Sequence, residues 1–290
     1  MKIDSFLKIG HSHEQCQDYI LTGTDPCPYI ILADGCSQAK DSDIGARLLC
    51  HTALKYLKKN QSRLDRLDPP EKIGQDIIVE AALALNSHFN SKIDCLDATL
   101  IMVYKFQGEY YIYMYGDGVI FRVSQCGDIS YTRAYYKPNA PGYLRYRING
   151  YENYKNSNVI KLTDSHYGWN SYDSMEPYHR IVHEGDIQTL LVASDGVESF
   201  IYNDQIQYKT MFNILKQRII NEKINPLQHI IIPPEIKELN WENVVGEMID
   251  FKNTNGIFLK RRVKKVMKNY LKEGFINDDD LSIGCFYEEW

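Results

Sequence analysis

Four stretches of the chain end an apolar run on an aspartate or begin one after it. Tyr29–Gly35 reads YIILADG, and Tyr110–Gly116 (YYIYMYG) runs into Asp117-Gly118. Thr189–Ser194 (TLLVAS) runs into Asp195-Gly196, while Asp278, Asp279 and Asp280 stand just before Leu281–Phe286 (LSIGCF). Apolar runs of this length, rich in aromatic and branched residues, read as buried strands. One Asp-Gly after a strand is as easily a hairpin turn, but four similar strand ends imply that the fold gathers their carboxylates. Two carboxylates about 4 Å apart repel by roughly 4 kcal/mol at an effective dielectric near 20. Several together must be protonated, spread apart or neutralised by a cation. An all-oxygen donor set suits a hard ion, Mg²⁺ or Mn²⁺, rather than zinc.

The elements around these acids follow from the pattern. Residues 1–28 read as a strand, a polar loop holding His11, Ser12 and His13, and a second strand with Asp18 at its start. After YIILADG, a polar loop leads to Ile44–Leu57, where Ile44, Leu48, Leu49, Ala53, Leu54 and Leu57 recur at helical spacing, with Ser42 or Asp43 as N-cap. Pro69-Pro70 interrupts, and Ile73–Phe89 gives a second amphipathic helix through Ile77, Ala81 and Leu85. Ala98–Val123 reads as consecutive strands whose short turns predict antiparallel neighbours, which disfavours a parallel doubly wound sheet.

Residues 131–180 are rich in Tyr, Asn, Pro and Gly and predict a surface excursion. Residues 200–270 read as mostly helical. There Lys260, Arg261, Arg262, Lys264, Lys265 and Lys268 alternate with Ile257, Leu259, Val263, Val266 and Met267, the pattern of one buried stripe and a solvated basic face. No internal repeat or low-complexity linker divides the sequence, so a single domain over 1–290 is expected, varied at about 131–180 and about 200–270.

Composition sets the outer bounds. A chain that is 44% hydrophobic and 24% charged can bury a substantial core. Its net charge of −5 weighs against nucleic acid as a partner. The seven cysteines are scattered, odd in number and never in a CxxC pair, which argues against a zinc site or a disulfide framework and for a reducing compartment. The start, MKIDSFLKIG, lacks the apolar run of a secretion signal, and no stretch has the length of a membrane span. The expectation is a cytoplasmic protein with no membrane contact. No Cys precedes an Arg by six positions and no GxxxxGK[ST] loop occurs, so cysteine-dependent phosphatase chemistry and P-loop nucleotide hydrolysis are excluded.

Six segments then carry a resemblance: GHSHEQCQDYI at 10–20, IILADGCSQAKDSDIGARLL at 30–49, DATLIMVYKF at 97–106, YYIYMYGDGVIFRV at 110–123, LLVASDGVESF at 190–200 and NDDDLSIGCF at 277–286. In this order they resemble the metal-dependent protein phosphatases of the PP2C type (the PPM family), in particular a bacterial branch with Ser-His and Cys-Gln-Asp near the start. The resemblance implies an α+β fold, an αββα sandwich of two antiparallel β-sheets flanked by helices, with the metal centre in a cleft at one end of the strands.

It also implies roles. Asp34 would bridge two ions and the Gly35 carbonyl would bind one of them, with Asp18 beside that second ion. Asp195 and Asp279 would complete the first ion, and Asp117 would serve a third, more weakly held one. Asp279 is chosen because Asp279-Asp280-Leu281-Ser282 fits the family pattern of Asp, Asp or Asn, an apolar residue, then Ser or Thr; Asp278 and Asp280 are then expected to face solvent or to act behind the ligands. Such ions, roughly 3.5–4 Å apart, activate a water for in-line attack on phosphorus, so no protein nucleophile is needed.

Three positions depart from the pattern. His13 stands where many relatives hold the substrate phosphate with Arg, and is expected either to contact phosphate or to be structural. Gln17 replaces a Glu, which leaves the metal role to Asp18 alone. Cys36 occupies the place of a His proposed as general acid and is expected to pack rather than react. Arg133, Arg145 and Arg147 fall in the variable stretch and are expected to be solvated, with assistance to a phosphopeptide as the other role open to them.

The implied activity is hydrolysis of phosphoserine or phosphothreonine on proteins with two Mg²⁺ or Mn²⁺ ions and a place for a third. The partner would be a phosphoprotein and, in a bacterial regulatory system, a cognate Ser/Thr kinase. Two alternatives stand beside it: a pseudophosphatase that binds without turnover, and a small-molecule phosphohydrolase.

Overall fold

A computed structural model describes residues 1–89, 91–137, 141–148, 159–164, 178–202 and 239–289. Two antiparallel sheets lie face to face. One has the order β2 (Tyr19–Gly23), β3 (Tyr29–Ala33), β4 (Leu100–Phe106), β5 (Glu109–Tyr115) and β9 (Tyr178–His183). The other runs β1 (Lys2–Lys8), β13 (Leu281–Tyr287), β10 (Thr189–Ala193), β6 (Gly118–Val123), β7 (Ile129–Lys137) and β8 (Val159–Asp164). A short pair, β11 (Phe200–Tyr202) and β12 (Phe275–Asn277), stands apart from both.

Strand β3 shows why the sequence folds this way. Every one of its residues is buried, because each face meets a different layer. Ile30 and Leu32 point between the sheets, where they meet Ile101, Val103, Leu190 and Val192. Tyr29, Ile31 and Ala33 point the other way, into a core shared with α1 (Ser42–Lys59) and α2 (Pro70–His88). Burying a strand on both faces removes the polar-apolar alternation that a half-exposed strand would show. The second sheet is covered by α3 (Trp241–Ile249) and α4 (Phe258–Lys272) through Val244, Met248, Phe258, Val263 and Val266. The architecture is therefore helix–sheet–sheet–helix, the expected αββα sandwich. No described helix is long and apolar enough to cross a membrane.

Several local readings need correction. Strands β5 and β6 follow one another with Gly116 and Asp117 between them, yet they do not pair. Strand β5 lies between β4 and β9, while β6 lies in the opposite sheet between β10 and β7. Gly116 (φ +95°) and Gly118 (φ +141°) take the chain through backbone conformations that side-chain-bearing residues rarely adopt. The turn is a corner between layers instead of a hairpin. The N-cap of α1 is neither Ser42 nor Asp43 but Asp41, at φ 59°, whose carbonyl accepts from the Ile44 and Gly45 amides. In α2, Pro70 is the first helical residue, where its missing N–H leaves nothing unsatisfied.

The stretch 131–180 is not an irregular excursion throughout. Strands β7 and β8 extend one sheet, β9 edges the other, and Leu144–Arg147 forms a 3-10 turn. Strand β9 escapes a hydrophobicity reading because its half-buried positions are Tyr178, Arg180 and Val182 while Ile181 is exposed. Of 200–270, residues 203–238 lie outside the described residues; the rest opens with strand β11 and continues through α3 and α4. The buried stripe of α4 is Phe258, Leu259, Val263, Val266 and Tyr270, with Ile257 exposed, and Lys260, Arg261, Lys264, Lys265 and Lys268 face solvent.

Candidate active site

The acids sit where strands stop. Asp34 follows β3, and its amide donates to Thr99 Oγ1 at 3.2 Å while its carbonyl accepts from the Thr99 amide at 2.8 Å. This pair of bonds fixes the backbone at the strand end, and a bridge between Gly35 and Ala98 continues it. Gly35 leaves no room for a side chain: a Cβ there would lie 2.8 Å from the Gln17 carbonyl oxygen and 2.9 Å from that of Ser42. Asp117 occupies the corner between β5 and β6, and Asp195 opens a 3-10 turn after β10. Asp279 stands two residues before the start of β13.

Asp34, Asp117, Asp195 and Asp279 face one cleft of about 230 Å³, together with His13, Gly35 and Cys36. Its remaining lining comes from Ser37, Gln38, Thr99, Pro141 and Tyr143. A second hollow of about 240 Å³ shares Asp117 and Asp195 and adds Glu198, Arg133 and Tyr136. A larger concavity, about 690 Å³, lies along α1 and α2 and holds none of the strand-end acids.

Asp18 does not line the cleft. It is 1% exposed, behind the cleft acids, and accepts a hydrogen bond from Ser194 Oγ at 2.8 Å. Ser194 in turn accepts from the Ser282 amide at 3.1 Å, so two strands of the second sheet hold an acid that belongs to the first. The other oxygen, Asp18 Oδ1, is buried without a hydrogen-bond partner among the described residues. An orphaned carboxylate oxygen in the interior is costly unless something positive meets it.

Asp280 takes the second of the two places expected for it, behind the cleft acids, and ties down backbone there. It is 2% exposed, and its two oxygens accept from the Gly10 amide at 2.7 Å and the Gln17 amide at 2.5 Å. Further bonds from the His11 amide to the Asn277 carbonyl (3.0 Å) and from the Ser12 amide to the Asp278 carbonyl (3.1 Å) run alongside. Asp280 thus staples the 10–17 loop to the approach of β13 and places both His13 and Asp18. It is not solvent-facing, and Asp278 is itself half-buried. His13 lies with Nε2 3.4 Å from Asp279 and Nδ1 3.1 Å from Asp280, the latter without hydrogen-bond alignment. Replacing Asp280 with Asn keeps one acceptor but turns an amide donor toward a backbone N–H. The expected result is a loss of about 1–3 kcal/mol in urea-unfolding stability. A change within about 0.5 kcal/mol would show that the staple contributes little.

Burial, more than any other cause, raises the pKa values of the acids. It lifts Asp18 to about 7, with the Ser282 and Ser194 hydroxyls opposing the rise. Asp34 is pushed well above its ordinary value by burial and then by the charges of Asp18 and Asp195. Asp117 rises to about 8 through burial and Asp195, and half-exposed Asp279 to about 6 through burial and Asp195. For His13, burial lowers the pKa, but its neighbours Asp280, Asp279 and Asp18 outweigh that and raise it. Glu198, missed in the sequence, is lifted to about 7 by burial despite its ion pair with Arg133. It follows Asp195 by three residues within DGVE, and that proximity was the available signal. Arg133 and Arg145 are not simply solvated: Arg133 pairs with Glu198 and Arg145 with Asp97.

Among the described residues no group of three or more His, Cys, Asp or Glu side chains stands as a ready-formed metal site. The donor chemistry nonetheless fits hard cations. The acids offer oxygen only, they raise one another's pKa, and Asp18 Oδ1 has no hydrogen-bond partner among the described residues.

Comparison with known proteins bears on the fold and the family. The serine/threonine phosphatase Stp1 of Staphylococcus aureus superposes with a TM-score of 0.54, at 11% identity, over 100% of this chain and 95% of that one. The serine/threonine phosphatase PstP/Ppp of Mycobacterium tuberculosis superposes with a TM-score of 0.50, at 11% identity, over 99% of each chain. At such identities the likeness shows a shared fold. No curated protein sequence matches the chain significantly. The model of the protein phosphatase 2C family matches residues 9–227, well over half of the 290. The chain belongs to the protein phosphatase 2C family.

Proposed function

We propose that this protein hydrolyses phosphoserine and phosphothreonine on proteins with the help of Mg²⁺ or Mn²⁺. The observation that carries the reading is the convergence of Asp34, Asp117, Asp195 and Asp279 on one cleft, with Asp18 buried behind them. Asp34 would serve both ions, the Gly35 carbonyl and Asp18 one of them, and Asp195 and Asp279 the other. Asp117 is assigned to a third, weaker position. When bound, such ions supply the positive charge that activates water and offsets the charge developing on phosphoryl oxygens. The chain's own residues set the geometry: the Thr99 pair fixes Asp34, the Ser194 hydroxyl orients Asp18, and the Asp280 staple holds His13 at the cleft. His13 takes the phosphate-facing place, where the acids next to it raise its pKa and favour its charged form. The substrate is assigned as a phosphoprotein of a Ser/Thr kinase pathway. Seven free cysteines support a reducing, cytoplasmic setting for this single-domain chain.

Release of phosphate from a phosphothreonine peptide tests the reading. Turnover is expected with Mn²⁺ and not with EDTA. Activity that survives EDTA would remove the metal from the mechanism, and a panel of small phosphate esters hydrolysed in preference to peptides would move the substrate class. A second reading, binding without turnover, draws on His13 in the place of Arg and on the lack of a ready-formed metal site among the described residues. Calorimetry separates the two. A folded protein that takes up no Mn²⁺ would be a binding module.

A further inference from the structure

The segment 141–148 supplies one wall of the cleft through Pro141 and Tyr143, and two anchors hold it. The first is apolar: Leu144 is fully buried among the residues of α1 and α2 and packs close over Gly74. The second is ionic. Arg145 presents Nε and Nη2 to the two carboxylate oxygens of Asp97, the Nη2–Oδ2 bond being 2.8 Å. Its guanidinium also lies 4.9 Å from the centre of the Tyr146 ring. Two parallel N–H···O bonds from a planar fork fix direction as well as distance.

Asp97 is tied to the loop that carries the site. Its carbonyl accepts from the Cys36 amide at 2.8 Å, and its neighbour Ala98 bridges to Gly35. Its own amide is bonded to the Asp94 carbonyl at 2.9 Å, which holds it at the end of a 3-10 turn. One residue thus grips the Asp34–Cys36 loop with its backbone and the cleft wall with its side chain. Tyr143 and Cys36 line the same cleft where the two meet.

We propose that Arg145 is a positioning residue, whose two-pronged pair with Asp97 locks the 141–148 wall onto the Asp34–Cys36 loop and thereby sets the width of the substrate cleft. Leu144 sets how deep the segment sits, and the Arg145–Asp97 pair sets how it is turned. Only the kinetic arm of the test rests on the phosphatase reading.

The experiment follows Cys36 as a reporter. Iodoacetamide labelling of the full-length protein is read by peptide mass spectrometry, with exposed Cys126 as the internal standard. Arg145→Ala is expected to speed labelling of Cys36 by about 10-fold, the scale of a lost charge-assisted contact, while Cys126 labels as before. Arg145→Lys, which keeps the charge but not the fork, is expected to behave like the Ala variant, and Asp97→Asn to fall between it and wild type. With a phosphothreonine peptide and Mn²⁺, KM is expected to rise by about 10-fold while kcat changes far less. Should Arg145→Ala fail to fold, Arg145→Lys and Asp97→Asn carry the same comparison with less change in volume. Unchanged Cys36 labelling in folded variants overturns the proposal, and so does full rescue by Lys. A wild-type protein without phosphatase activity would overturn the functional reading alone, because the labelling comparison still stands.

Discussion

Asp34→Asn is expected to raise the melting temperature of the metal-free protein and to cut the proposed Mn²⁺-dependent activity on the order of 10³-fold. Both effects come from one charge. Asp34 ends a strand buried on both faces and stands beside Asp18, Asp195 and Asp117, each of which raises its pKa once burial has done so. Two carboxylates about 4 Å apart repel by roughly 4 kcal/mol at an effective dielectric near 20. Partial protonation already relieves some of that, so a neutral amide of the same shape should stabilise the bare fold by about 1–3 kcal/mol, or several degrees. The same substitution removes the acid assigned to both ions. Activity should then fall on the order of 10³-fold, the scale of losing a central electrostatic contact to the transition state. Wild type should gain about 2.7 kcal/mol at Mn²⁺ one hundred times its Kd, and the variant should lose most of that gain. Calorimetric melts with and without Mn²⁺, beside a phosphate-release assay, check both halves. A variant that melts lower than wild type in EDTA would show that Asp34 is not under charge strain.

Wild-type protein in EDTA should lose stability as pH rises from about 4 to about 8. Burial places the folded-state pKa of Asp18 at about 7 and that of Asp117 at about 8, above the unfolded value of 3.8 for each. A raised carboxylate pKa means that the folded state holds its proton more tightly than the unfolded chain. The resulting stabilisation is fully present below the unfolded pKa and is lost as pH climbs through the folded one. Coupling between the acids keeps the total well below a simple sum of shifts, on the order of 3–5 kcal/mol. Saturating Mn²⁺ should flatten the decline, because the cation occupies the deprotonated site in place of protons. Urea midpoints at pH 5, 7 and 8.5, each with EDTA and with Mn²⁺, measure it. Equal midpoints across pH in EDTA would refute the idea of an electrostatically strained cluster.

The strand-end acids were legible because a short apolar run that stops on Asp-Gly leaves few other readings, and repetition removed most of the rest. The sandwich came from the order of the six motif segments rather than from periodicity. Turn length misled at Asp117, since it says how tightly the chain bends and not which sheet receives it. The bonds made by Ser194 and Asp280 could not be read for a different reason. Their work is done on backbone amides and on a neighbouring carboxylate, brought close by strand pairing that spans 88 residues between Ser194 and Ser282 and a staple that spans 270 between Gly10 and Asp280. No local pattern reports contacts of that range. Arg145 and Asp97 were hidden in the same way, one in a Tyr-rich stretch and the other as one more Asp before a strand.

The corner at Gly116–Gly118 has a wider meaning. Asp18 and Asp34 belong to the ends of one sheet, Asp195 and Asp279 to the ends of the other, and Asp117 rides on the chain that passes between them. The cleft is therefore a seam, and any cation seated in it acts as a rivet through two plates. Sliding one plate over the other by a fraction of a residue would open the seam with every acid still present. Affinity for metal would then depend also on the dry layer of Ile30, Leu32, Ile101 and Val192 that keeps the plates in register, although none of these side chains offers an oxygen.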